Sequence, residues 1–569
     1  MAFVFLYNKR VSEECSIRRF TESRWHRKGG EANPHRHSNH PSHRNNCSKR
    51  SSVSPCLSNT AAGTNPEKKR RKEVSIMSNN QPAKKGVGAL DFFCIGFGSI
   101  VGVGWAVSIN GWMANSGGPV PAGLGYLLVL VMMVPISLCY CELVPALPVA
   151  GGGSAFALLA FNDKIGALSG WMAWCGMVAI VPWEALQITD ILSYLIPSLN
   201  EGRVLYTVLG SDVRPIAIII GAAFSVLLFL LNKRGLAAAA AFQKVLCFIL
   251  IITAIIGGVA AIIGGSTANW QPIYDVTNPE IYGEGGRQVF HRSMFGGMLG
   301  ILTSAPFFLV GFETIPQGVE EAGGDIKSVG KTVMLSIVLA CVFYTFLLFA
   351  FGCGWPWQDF VGMNRPAAAT MFTYLFPGTI GKVLFWMITI GAIAGLFTTW
   401  NGFFMACALL LMAMARGKMM PAVFAKQDKN GVPMSGLILI LILSLIGPFA
   451  GANMIENITC CSGTAIVVSW FLTSCSFVKL RFSRPDLNRP YMVPAGKFLG
   501  IFASLASGVV LVLLFIPGSP AYMGNVALVM WLVWLVIGIV LYLVAAKDRK
   551  GMSREDLLHG VFGNLAQKL

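Results

Sequence analysis

Residues 303–316 read Thr-Ser-Ala-Pro-Phe-Phe-Leu-Val-Gly-Phe-Glu-Thr-Ile-Pro. They lie inside an apolar run, 294–319, yet Pro306, Gly311 and Pro316 bracket a carboxylate, Glu313. Each proline lacks a backbone donor and crowds the carbonyl one turn earlier, so the run is expected to be interrupted. Unpaired backbone at membrane depth is tolerated only where it is buried in protein or lines a cavity. The first apolar run holds a second such stretch, Gly96-Phe-Gly98-Ser99-Ile100-Val101-Gly102-Val103-Gly104, where each glycine costs a helix about 1 kcal/mol relative to alanine. Alone, that stretch reads equally well as close helix packing through the Gly98 to Gly102 spacing. A dinucleotide fingerprint is excluded, because its third glycine would fall at Val101 and no strand precedes it. Interrupted segments at corresponding places in two halves point to a transporter site between inverted repeats, so the sixth run settles the reading of the first.

Outward from these stretches the whole chain keeps the same character. Of its 569 residues, 54% are hydrophobic and 12% charged, with a mean hydropathy of +0.62. Soluble domains carry about 25% charged residues, and a large soluble enzyme of this composition could not keep its surface wet. The apolar residues fall in runs of about 20, the length that crosses about 30 Å of hydrocarbon as a helix. Beyond Lys85 the runs are 89–112, 122–147, 165–194, 215–231, 236–263, 294–319, 332–354, 380–415, 434–450, 459–480, 498–516 and 526–545. The expected fold is an all-α polytopic membrane protein of about 12 transmembrane helices, a 5+5 inverted repeat with helices 1 and 6 discontinuous. Repeat one covers about 89–263, repeat two about 294–480, and helices 11 and 12 about 498–545. Together 77–546 form the transporter domain, and 547–569 a cytoplasmic tail.

Orientation follows from Lys and Arg, which concentrate in cytoplasmic loops. An inside N-terminus gives the inner loops Lys84, Lys85, Lys164, Lys233, Arg234, Lys327, Lys331, Arg416, Lys418, Lys426, Lys429, Lys479, Arg481, Arg484, Arg489 and Lys497. It leaves only Arg203, Arg214, Arg287, Arg292, Arg365 and Lys382 outside. A multi-pass protein of the plasma membrane with both termini cytoplasmic is expected. The formal charge of +17 is not a nucleic-acid signal, because residues 1–76 hold 16 of the 44 Lys and Arg against 6 of the 27 Asp and Glu. That segment has almost no apolar periodicity and cannot bury a core. Its readings are a disordered arm, a targeting peptide, for which the apolar stretch 2–7 is too short, or a misassigned start. Its tract His35 to His43 could bind metal incidentally.

After Lys85 the chain resembles the amino acid-polyamine-organocation (APC) superfamily of permeases, with the LeuT-type fold. The resemblance is carried by Gly98-Ser-Ile-Val-Gly102-Val-Gly104-Trp, by Glu142-Leu with Pro148-Val-Ala-Gly151-Gly-Gly-Ser, and by Gly311-Phe-Glu313 followed by Glu320-Glu321. Met414-Ala-Arg416, Met420-Pro421, Phe424 and Gly431-Val-Pro433 are similar to the family's loop after the eighth span. The resemblance implies secondary transport of amino acids by alternating access, ion-coupled or by exchange. An amine such as ethanolamine or a polyamine, or a nutrient receptor on a transporter scaffold, are the alternatives.

It also implies where the solute sits. Unwinding at Ser99, Ile100, Val101, Gly102, Val103 and Gly104 would expose N–H groups at the start of a half-helix, which favour a carboxylate. Carbonyls of Ile100 and of Phe307, Phe308, Leu309 and Val310 would take an ammonium, with no charged side chain needed. Phe307 stands where the family often has an aromatic gate, although an aromatic there could equally pack in the core.

Carboxylates inside spans cost enough to be suspected of function. Glu313 is expected either to couple gating or to bond loose N–H groups of its own half-helix. Glu184, beside Trp183, could attract a cation, carry a proton, or lie near the outer headgroups with Asp190. Glu142, Glu320 and Glu321 are expected to pair with loop Lys or Arg. The coupling ion is H+ or Na+. Thr398 and Thr399 could supply sodium-ligating hydroxyls, or bond their own helix. Some proton-coupled members have a deep lysine in the fifth span; here the sole candidate, Lys244, sits near the 232–235 loop and the likely aligned positions are Ile249 and Leu250. No cofactor and no metal site are expected, and no enzymatic activity: beyond the tail only His291 and His559 remain, and 325–332 misses the first glycine of a phosphate loop. The cysteines read as small buried residues. The partners are the solute and the lipid bilayer, not nucleic acid. Lys72-Glu73-Val74 can be encoded by a ribosome-binding sequence just upstream of Met77, so natively expressed protein is expected to begin at Met77; an N-terminal mass starting upstream would overturn this.

Overall fold

The computed structural model describes residues 87–569 apart from 209–210, 283–292, 324, 364–365 and 452–453. The extension 1–76, Met77 and His291 lie outside the described residues. Among the described residues ten helices are long and apolar enough to cross a membrane, and two shorter apolar ones, Met294–Thr303 and Met434–Phe449, stand where the sixth and ninth spans are predicted. Among the described residues the only strands form a small hairpin, Tyr206–Val208 with Ser211–Val213. The eighth span, Thr379–Arg416, has 38 residues, about 57 Å of helix, and overshoots the hydrocarbon core at its ends. The third is two helices, Asp163–Val178 and Ile180–Leu195, joined where Pro182 cannot donate to the Val178 carbonyl.

Both predicted interruptions are present, and both are narrower than the sequence suggests. In the first span the helix Ala89–Ile100 ends and Gly104–Val107 begins, so the break is Val101 to Val103 while Ser99, Ile100 and Gly104 are helical. In the sixth, Ala305–Leu309 is helical and Thr314–Gln317 restarts, which puts Phe307, Phe308 and Leu309 inside a half-helix. Pro306 lies in the first turn, where a missing N–H costs nothing. It therefore starts a half-helix instead of breaking one, and Pro316, which cannot donate to Phe312, keeps the next one from joining.

The broken first span is the hub: the fifth, seventh and eighth spans all pack on it, and the second and seventh form the most extensive helix pair. The eleventh and twelfth, Gly496–Phe515 and Asn525–Val544, instead present Leu505, Val536 and Leu543 outward, an apolar surface suited to lipid.

The face that carries Ala89 is closed. Glu142 accepts from Arg481, lies 2.9 Å from Arg489, and takes the Val493 N–H at 2.9 Å. Glu320 pairs with Arg416 at 3.2 Å and takes the Ala150 N–H at 3.0 Å, while Gln317 accepts from the Gly151 N–H at 2.9 Å. The C-terminal tail packs on the transporter. Arg554 donates to the Phe161 and Leu159 carbonyls at 2.7 and 2.8 Å, Arg549 donates to Lys418 at 2.7 Å, and Val561 and Phe562 are buried. Removing one partner of a buried ion pair costs about 3–5 kcal/mol, whereas an exposed pair contributes under about 1 kcal/mol. Glu142→Gln is therefore expected to lower the melting temperature in detergent clearly, and Glu320→Gln hardly at all.

Candidate functional site

The break in the first span leaves the N–H groups that open Gly104–Val107 without partners in their own helix. Gly102 lies in the break because nothing larger fits: a Cβ there would be 2.6 Å from Thr399 and 3.3 Å from Glu184 Oε1. At Gly104 a Cβ would meet the Phe308 ring at 2.5 Å.

Glu313 organises the break in the sixth span. One oxygen takes the Gly311 N–H at 2.9 Å and the other accepts from the Trp470 indole of the tenth span. Both carboxylate oxygens are thus engaged, and the bond to loose backbone matches the structural alternative for this residue. Gly311 has φ +147, and a Cβ would lie 2.5 Å from the Ile100 nitrogen, so the two breaks touch backbone to backbone. Tyr344 of the seventh span ties them together, its hydroxyl reaching the Ile100 carbonyl at 2.9 Å and the Phe308 carbonyl at 3.3 Å. Two of the carbonyls expected to face an ammonium therefore hold a tyrosine hydroxyl here.

An ionisable side chain does sit at the site. Glu184 is 1% exposed, accepts from the Thr399 hydroxyl through one oxygen, and has no hydrogen-bond partner for the other. The headgroup placement of Glu184 does not hold: the side chain is buried beside Gly102. Thr398 donates to its own helix at the Gly395 carbonyl, 2.7 Å away. Lys244 pairs with Asp91 at 2.7 Å, while Leu250 borders Gly395 and the Gly102 carbonyl lies against that same glycine.

A cavity of about 730 Å³ opens on the face opposite Ala89. Its walls include Asn110 and Asn115 from the first span, Asp190 and Tyr194 from the third, and Glu456 and Thr459 from the tenth; Ser304, Trp112 and Phe308 line it toward the breaks. Of the two adjacent phenylalanines it is Phe308 that lines the cavity. Phe307 packs behind it, with ring centroids 5.4 Å from Trp183 and 5.1 Å from Phe308.

Residues 87–541 match the amino acid permease family. The chain belongs to that family. Among its relatives, the branched-chain amino acid permease BcaP of Bacillus subtilis is 22% identical over 502 residues, covering 84% of this chain and 97% of the relative. The methylthioribose transporter of the same organism is 20% identical, over 86% and 99% of the two chains. The lysine-specific permease LysP of Lactococcus lactis is 23% identical, over 68% and 74%.

In this permease the structure brings together Ser99 to Gly104, Phe308 to Val310, Glu184 and Thr399 around the two breaks, with Thr398 and Glu313 one layer away. Sequence reasoning missed Tyr344, Trp470 and Trp112. For Tyr344 and Trp470 the available signal was a polar aromatic inside an apolar run, since a buried O–H or N–H usually finds a partner, as these two do. Gly431 is also left-handed, with φ +81, but has nothing within 4 Å of its Cβ position. Gly431→Ala is expected to cost only the left-handed penalty of about 1–2 kcal/mol. Gly311→Ala adds a backbone collision and should lower the yield of folded, monodisperse protein several-fold further, as read by size-exclusion chromatography.

Proposed function

We propose that this permease is a secondary carrier of amino acids in the plasma membrane, working by alternating access with both termini cytoplasmic. The observation that supports this most is the cavity leading from one face to the paired helix breaks while the other face is held shut by the Glu142 and Glu320 ion pairs. A solute admitted there reaches backbone groups that lack helical partners midway through the protein. With Lys and Arg concentrated in the inner loops, the open face is extracellular and the conformation outward-facing.

In this reading the solute carboxylate meets the N–H groups at Gly102, Val103 and Gly104, favoured by the half-helix dipole. Its ammonium displaces the Tyr344 hydroxyl from the Ile100 and Phe308 carbonyls. Ser99, Val101, Leu309 and Val310 shape the pocket, Phe308 closes over it with Phe307 behind, and Glu313 holds the hinge against Trp470. The mode is ion-coupled symport or exchange, with H+ or Na+ as the coupling ion and no cofactor, and the protein is a carrier, not an enzyme. Relatives named for branched-chain amino acids and for lysine align at nearly equal identity, so they do not choose the side chain. A second reading, an amine permease, is favoured by Glu184.

The test is uptake into proteoliposomes of a labelled panel of amino acids and amines, under an inward proton gradient and separately an inward sodium gradient. Concentrative uptake of an amino acid under one gradient is expected. Absence of both uptake and counterflow across the panel would overturn the carrier reading.

A further inference from the structure

Among the described residues that line the cavity, Asp190 and Glu456 are the acidic ones and none is Lys, Arg or His. Trp112 and Phe308 line its inner part, and aromatic faces attract cations. Ser304, also lining it, is 8% exposed and its hydroxyl has no hydrogen-bond partner. Behind Phe308, whose ring covers Gly104, comes the Glu184 carboxylate against Gly102. One Glu184 oxygen has the Thr399 hydroxyl, the other has nothing, and no Lys or Arg pairs with it among the described residues.

The other buried glutamates of this protein are compensated from within: Glu142 by two guanidinium groups, Glu313 by an indole and a backbone N–H. A buried carboxylate with one neutral donor is costly, and Glu184 lies where solute passes. With Glu184 ionised, a neutral amino acid with its carboxylate at Gly102 would place a second negative charge beside it. A solute with a net positive charge relieves that repulsion.

Resting on the carrier reading above, we infer that the preferred solute is a cation bearing an ammonium group, either a basic amino acid or an amine without a carboxylate, and that Glu184 is the side chain that selects it.

The experiment competes lysine, arginine, ethanolamine and putrescine against leucine and alanine for counterflow in proteoliposomes, with wild type, Glu184→Gln and Glu184→Asp. The first two solutes stand for the basic amino acids and the next two for the amines, so the panel separates the sources of positive charge. Wild type is expected to prefer one of these cationic sets. Glu184→Gln should cut the preference for cation over neutral solute by about 30-fold or more, the loss that follows truncation of one partner of a buried charge pair, and Glu184→Asp should restore part of it. Equal monodispersity of the variants in detergent excludes misfolding. Preference for neutral amino acids, or a cation preference unchanged in Glu184→Gln, would overturn the inference and leave the carrier intact. So would a Glu184→Gln variant that loses its response to a proton gradient but keeps its choice of solute, which would make Glu184 a proton carrier. No counterflow of any solute in wild type would instead overturn the carrier reading itself.

Discussion

Backbone N–H and C=O groups cannot be left unpaired in a low-dielectric interior, where each costs several kcal/mol. Opening the first and sixth spans at their middles violates that rule twice. Much of the central architecture is the means by which it is restored. Tyr344 caps a carbonyl on each side, Glu313 takes up the freed N–H of Gly311, and Trp470 holds Glu313 in place. The closeness of Gly311 to Ile100 lets one hydroxyl serve both breaks. Without that contact each break would need its own cap.

Three buried glutamates show how environment sorts chemically identical groups. Glu142 sits between Arg481 and Arg489 at the closed face and joins the second and tenth spans to the loop before the eleventh. Glu313 is saturated by local donors and acts on the geometry of its own span. Glu184 has an oxygen without a hydrogen-bond partner and, unlike Glu142, no guanidinium beside it among the described residues, and it lies next to Gly102 in the break of the first span. Identity and burial do not separate the three; the count of donors does.

Much of this was legible in the chain. Apolar run length located the ten membrane-length helices and the two shorter apolar ones, because the hydrocarbon thickness leaves a helix little choice. Proline and glycine located both breaks, since each acts on its own backbone. Their widths were less readable: Pro306 looks like a breaker in sequence but occupies a first turn, a distinction that depends on where the helix begins. Contacts between distant segments were harder still. Nothing in the run around Tyr344 tells that its hydroxyl meets Ile100, and nothing around Glu184 tells that it lies beside Gly102 and Thr399. The small hairpin 206–213 and the helices Trp357–Val361 and Ala367–Leu375 were too short to register against the spans.

The clasp formed by Arg549 and Arg554 has a consequence for biogenesis. It grips the carbonyls of Leu159, Phe161 and Lys418, yet it follows all twelve spans in chain order. These arginines leave the ribosome after the second, third and eighth spans. Until they arrive, the short helix Gly153–Ala160 lacks its guanidinium donors, and the packing of that face is incomplete. Assembly of the bundle and the final sealing of that face are thus separated in time by the order of synthesis.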